Sequence, residues 1–187
     1  MAFVRSLLGL IAAIAALLVA SGSGGLDPRG PTLLRLEIEA RGNVDILLHT
    51  AEAPKTTAHI AALVERGFYN GQRFFKVVTS PRPYLIQTGD PASRDATKLD
   101  DPTMGTGGSG TKVPYESSGF SNVMGAVGLS TPPNDRNGGD SQFYILLDNA
   151  KFLDGSYTVF GKVQSGMDVV KSIRKGDKIV AARIVRS

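Results

Sequence analysis

The chain has 187 residues, 42% hydrophobic and 20% charged, the profile of a folded protein long enough for one well-buried domain and short for two. It contains no cysteine, which excludes a disulfide framework, a thiolate metal site and a thiol nucleophile. The net charge is +4, but the 21 lysines and arginines are scattered, never more than two in succession, so nothing points to nucleic acid, which needs charge clustered on one face.

In chain order, residues 1–25 read as a secretory signal peptide or an N-terminal anchor. Arg5 precedes the apolar run SLLGLIAAIAALLVA, which gives way to SGSGG. That run is shorter than the roughly 20 residues that span a bilayer comfortably. Cleavage near Ala20–Ser23 and export to the periplasm or the medium are therefore expected, with membrane contact only if the segment stays uncleaved. Residues 26–31 read as a linker, which leaves 32–187 as the folded domain.

The segments LLRLEIEA (33–40) and NVDILLH (43–49) alternate apolar and polar around an Arg-Gly turn and predict a hairpin. APKTTAHIAALVERGFYNG then changes period. Ile60, Leu63, Val64 and Phe68 recur at helical spacing, Pro54 suits a first turn, and Gly67 and Asn70-Gly71 stop the helix. Further strands are expected at 73–78, 84–88, 125–130, 141–147, 157–163 and 178–185. A second short helix fits GMDVVKSIRKG, where Met167, Val170 and Ile173 share a face and Gly176 ends it. Eight short strands with two helices predict a mainly β fold, a closed eight-stranded antiparallel barrel capped by the helices. Residues 89–124 are rich in Gly, Pro, Ser and Asp and form a long loop of the kind that is functional or mobile.

GTGGSG (105–110) matches G-x-G-x-x-G in form, but no strand precedes it and no helix follows, so a backbone-exposing loop is expected in place of a dinucleotide site. His49 and His59, the only histidines, lack a second ligand at metal-binding spacing and read as surface or interface residues. Neither a G-x-S-x-G elbow nor a histidine placed for a triad is present, and Asp100-Asp101 reads as a solvated turn. What remains is a set of aromatic and neutral groups: Tyr84, Leu85, Gln87, Gln142, Phe143, Tyr144, Phe152, Leu153 and Tyr157. Many of these must be core. Gln87 and Gln142, set in apolar strands, must find hydrogen bonds, and a ligand backbone is one partner for them.

The segments APKTTAHIAALVERGFYNGQRFFKVV, IQTGDP, GTGG, GAVGLS, GGDSQFYILL, FLDGSYTVFGKV and GMDVV occur in an order that resembles the cyclophilin-type peptidyl-prolyl cis–trans isomerases, the compact bacterial kind in particular. The resemblance covers about 32 to 186. It implies an isomerase of X-Pro bonds that assists the folding of exported proteins, with a proline-binding groove on the outer face of the barrel. It implies no cofactor and no metal; the partners are proline-containing peptides and unfolded segments, and the protein acts as a monomer. Tyr84, Leu85, Gln87, Gln142, Tyr144 and Leu153 fall on the family's pocket and peptide-clamping positions, and Ser130 and Thr131 on the segment that pairs with bound peptide. Phe152 stands where many members have tryptophan and Tyr157 where others have histidine.

One stretch departs from the family. Its pattern is Phe-His-Arg followed by a short Pro-Gly turn, and that arginine is its main catalytic group. Here Phe74-Phe75-Lys76 is followed by a longer loop, VVTSPRPYLIQ. Lys76 takes the arginine's position and Arg82 comes close to the groove rim, so Lys76, Arg82 and Gln87 are the candidate catalytic residues. Because lysine is a compact point charge while arginine is a planar fork, reduced activity is expected. The alternative is a non-catalytic proline-peptide-binding module or chaperone of the same fold.

Overall fold

The computed structural model describes residues 32–186, so the leader at 1–25 and the linker at 26–31 lie outside the described residues. Strands β1 (Thr32–Ile38) and β2 (Gly42–Leu48) form the expected hairpin. Leu34, Leu36 and Ile38 of β1 and Val44, Ile46 and Leu48 of β2 are buried, while the residues between them face outward, as a period of two requires. Helix α1 (Pro54–Glu65) opens on its proline, and Gly67 takes a left-handed backbone (φ 69°) just past its end. Ile60, Leu63 and Val64 are buried; Phe68 lies beyond the helix and packs on the core from the following turn.

The remaining elements are β3 (Lys76–Val78), β4 (Leu85–Thr88), β5 (Ala126–Leu129), β6 (Phe143–Leu146), β7 (Val159–Ser165), α2 (Met167–Ser172) and β8 (Ile179–Arg186). Helix α2 stops well short of Gly176. Ile173 turns extended (φ −60°, ψ 138°) and is fully buried, and the Arg174 N–H is taken by the Asp177 carboxylate at 2.6 Å. Among the described residues no helix is long and apolar enough to cross a membrane.

All pairings are antiparallel, in the order β3-β4-β6-β5-β7-β2-β1-β8. The ladder does not run around the whole barrel. β3 has three residues, and the sheet's ends meet through the chain just before it: Arg73 and Lys178 form one isolated bridge. Beside it, the Gly71 N–H donates to the Ile179 carbonyl (2.8 Å), the Ile179 N–H to the Gln72 carbonyl (2.8 Å) and the Phe74 N–H to the Asp177 carbonyl (3.0 Å). The result is a curled sheet with a short seam, looser than the closed barrel expected.

Strands β4, β5 and β6 are buried on both faces, and this creates the site. Ile86, Val127, Leu129, Phe143 and Ile145 point into the barrel and join the main core with α1 and the hairpin. Leu85, Ala126, Tyr144 and Leu146 point outward into a second apolar cluster with Ala150 and Val159, against which Tyr84, Leu153 and Tyr157 pack. The barrel thus carries an apolar surface on its outside as well as its inside.

Phe143 holds the inner layer together: it is fully buried, and its ring lies edge-on to Tyr69 (5.5 Å) and Phe160 (6.2 Å). Phe143→Ala is expected to lower unfolding stability by about 3–5 kcal/mol, read from urea titration. A loss under about 1 kcal/mol would show that this layer repacks freely.

Candidate active site

The register of the central strands places Gln87 opposite Tyr144 and opposite Lys76, and Gly128 opposite Tyr144 on the other side. Gly128 is required there. A Cβ at that position would lie 2.2 Å from the Tyr144 ring and hydroxyl, so only glycine lets the ring lie across β5. The Tyr144 hydroxyl donates to Asn122 Oδ1 at 2.6 Å, and Asn122 is itself held by Asp154 through its backbone N–H (2.6 Å) and side-chain amide (2.9 Å). Tyr157 meets Tyr144 edge-on at 5.8 Å.

The two glutamines are joined. Gln142 Nε2 donates to the Gly105 carbonyl (2.8 Å) and the Gly107 carbonyl (2.7 Å), two acceptors that fix which way its amide points. Its oxygen then accepts from Gln87 Nε2 at 2.9 Å, and the second Gln87 amide hydrogen goes to Ser130 Oγ at 3.0 Å. Both donors of Gln87 are therefore spent inside the protein, and its carbonyl oxygen is the atom left to accept from a ligand N–H.

The loop that receives Gln142 is held by two buried carboxylates. Asp90 accepts from the backbone N–H groups of Ala92 (2.9 Å), Gly105 (2.7 Å) and Gly107 (3.0 Å). Asp140 accepts from the Ser109 N–H (2.9 Å), the Ser109 hydroxyl (2.5 Å) and the Gly110 N–H (2.9 Å). A Cβ on Gly107 would sit 2.5 Å from Asp90 and one on Gly108 2.4 Å from Asp140, so the glycines of GTGGSG let carboxylates approach the backbone. Further along, Glu116 accepts from the N–H groups of Lys55 (3.0 Å) and Thr56 (2.7 Å) at the start of α1. Residues 89–124 are thus pinned at several points along their length.

These parts enclose one open groove of about 490 Å³. Of the residues singled out from sequence, Lys76, Tyr84, Leu85, Gln87, Ser130, Thr131, Gln142, Tyr144, Leu153 and Tyr157 line it. Arg82 and Phe152 do not. Arg82 is ion-paired with Asp148 at 3.1 Å, with its side chain 63% exposed. Phe152, 71% exposed, lies edge-on to Tyr84 at 5.9 Å, outside the lining. Sequence reasoning missed Asp90, Asp140, Asn122 and Lys112; for the first, a signal existed in Asp90-Pro91, an aspartate that caps the next turn through the Ala92 N–H. His59 also differs from expectation. Its side chain is only 11% exposed, with Nε2 3.8 Å from Asp140 Oδ1, because Thr56, His59, Ile60 and Leu63 share the inward face of α1. His49 stacks on Phe120 at 3.9 Å. Among the described residues no group of three or more His, Cys, Asp or Glu could hold a metal ion.

The family model for the cyclophilin-type peptidyl-prolyl cis–trans isomerase matches residues 33–186, and the chain belongs to this family of isomerases. A Brucella suis protein named "probable peptidyl-prolyl cis-trans isomerase" is 38% identical, over 98% of this chain and 97% of its own. A Synechococcus elongatus peptidyl-prolyl cis–trans isomerase is 34% identical, over 80% of this chain and 94% of its own. In fold, the chain is similar to a Cryptosporidium parvum cyclophilin-type isomerase crystallised in the presence of the dipeptide Ala-Pro. The TM-score is 0.63 at 22% identity, over 83% of this chain and 96% of that one.

Burial, then the charges of Tyr157 and Asp154, push the Tyr144 phenol far above its ordinary value; burial does the same to Tyr69. A phenol raised on folding stabilises the native state fully below its unfolded value near 10, and that contribution is lost as pH rises beyond it. Stability is therefore expected to fall steadily above about pH 10, and less steeply in Tyr144→Phe, as followed by alkaline unfolding curves. Identical slopes for the two proteins would show that Tyr144 ionises freely in the native state.

Proposed function

We propose that this protein catalyses cis–trans isomerisation of X-Pro bonds in exported proteins, with Lys76 as the cation at the twisting amide and at a lower rate than an arginine would give. The reading rests above all on one juxtaposition: Lys76 lines the same groove as the apolar end formed by Leu85, Tyr144, Leu153 and Tyr157 and as Gln87, whose amide hydrogens are both already used.

The reaction makes and breaks no covalent bond. Its barrier, about 18–20 kcal/mol, is the amide resonance lost as the C–N bond twists. Twisting returns a lone pair to the proline nitrogen, so a cation aimed there favours the twisted state over the planar one, which is what lowers a barrier. An apolar end to the groove suits the proline ring, and Ser130 and Thr131, which follow the end of β5 and line the groove, suit a peptide backbone. Lys76 is exposed and, among the described residues, is in no ion pair, so its charge is available to a substrate. A lysine covers one of the two points that a guanidinium fork could hold at once, the carbonyl and the nitrogen. Losing one charge-assisted hydrogen bond of about 1.5–3 kcal/mol from the transition state slows a reaction by roughly 10- to 100-fold.

The second reading, a module that binds proline segments without turning them over, is favoured by the Arg82–Asp148 ion pair, which leaves the groove without a guanidinium. Export rests on the residues of the leader alone, as does membrane contact if the leader stays attached; action as a monomer belongs to the same proposal.

NMR exchange spectroscopy on an Ala-Pro peptide separates the two readings. Lys76→Arg is expected to raise kcat/KM by about 10- to 100-fold, Lys76→Ala to lower it, and Arg82→Ala to change it less than about twofold. Peptide that binds while exchanging no faster than in buffer would establish the binding module instead.

A further inference from the structure

Charge is distributed unevenly over this molecule. Among the described residues, lysines and arginines form seven ion pairs with carboxylates, and none of their members lines the groove. The groove's own cations are Lys76 and Lys112, and neither is paired.

The one carboxylate in the lining, Asp140, does not offset them toward a ligand. It is 8% exposed, and its oxygens are occupied by the Ser109 N–H, the Ser109 hydroxyl and the Gly110 N–H. The acidic residue of the 131–138 loop, whose Gly138 carbonyl Lys112 meets, is Asp135, which accepts from the Asn137 N–H at 3.2 Å. Lys112 itself is held in place. Its ammonium donates to the Gly138 carbonyl at 3.1 Å, which ties it to the loop that brings Pro132, Pro133 and Gly138 to the lining. One of three ammonium hydrogens is used there, so two remain for a ligand.

We propose that the groove selects proline segments carrying an acidic residue close to the proline, and that Lys112 is the specificity-determining cation. This rests on the reading that the groove takes proline segments, and adds the chemical class of the residue beside the proline. Lys76 acts on the amide itself and is felt by every substrate; Lys112 is felt only by a substrate that brings a carboxylate to it. The pair is solvent-accessible, so its effect is modest and falls with salt, because mobile ions screen exposed charges beyond about 8–10 Å at physiological ionic strength.

The test compares Ala-Pro peptides with Glu, Ala or Lys two residues before or two residues after the proline. At low salt, Glu at one of the two positions is expected to raise kcat/KM about two- to fivefold over Ala, through KM and not kcat, and Lys to lower it. In 0.5 M salt the ratio moves toward one. In Lys112→Gln the Glu-to-Ala ratio collapses to one, and in Lys112→Glu the order of the Glu and Lys peptides reverses. Equal rates for the Glu and Ala peptides at both positions, or a Glu advantage that survives Lys112→Gln, overturns the proposal. Titration calorimetry with the same peptides gives the ratio as affinities and needs no turnover. A Glu preference in binding without catalysis retains this selectivity and refutes the isomerase reading, whereas equal affinities, or no binding at all, refute the selectivity.

Discussion

The carboxylate of Asp90 shapes this groove more than most residues that face its interior. It is 1% exposed and, among the described residues, has no counter-cation; three backbone N–H groups take its place. Two of those belong to Gly105 and Gly107, whose carbonyls receive Gln142, whose oxygen in turn orients Gln87. A single buried charge therefore determines which atom Gln87 presents to a ligand. Burying a carboxylate is tolerable only when it is fully hydrogen-bonded, and here that requirement draws a distant loop onto the sheet.

The outward apolar cluster depends on a different constraint. A strand buried on both faces must place every second side chain on each, and β4, β5 and β6 spend one set on the core and the other on the outward cluster, from which Leu85 and Tyr144 line the groove. The two clusters consequently share one backbone. Lys76 sits at the end of this arrangement, on the three-residue edge strand where the sheet's ladder stops. A point charge on an edge strand beside an apolar floor suits a chemistry in which charge redistributes without any bond being made.

Much of this was legible along the chain. The alternation in β1 and β2, the helical spacing of Ile60, Leu63 and Val64, and the odd placement of Gln87 and Gln142 are local patterns, and local patterns report backbone period and burial directly. His59 shows the limit of that reading. Its helical face was available from its spacing to Thr56 and Leu63, but the carboxylate it meets, Asp140, is 81 positions away. The length of α2 was overestimated for a similar reason: Gly176 marks a later turn, while the helix ends where Ile173 finds the core.

The sequence by itself determined the strand and helix types, the absence of thiol chemistry, the family resemblance and the lysine at the key position, because each is carried by residues close together in the chain. Only the tertiary structure decided that Arg82 pairs with Asp148 outside the groove lining, that Asp90 and Asp140 hold the glycine loop, and that Lys112 is tied to the Gly138 carbonyl in the groove lining. Those contacts join residues 15 to 66 positions apart. Electrostatic and hydrogen-bonding partners are chosen by distance in space, and that distance exists only once the sheet has curled.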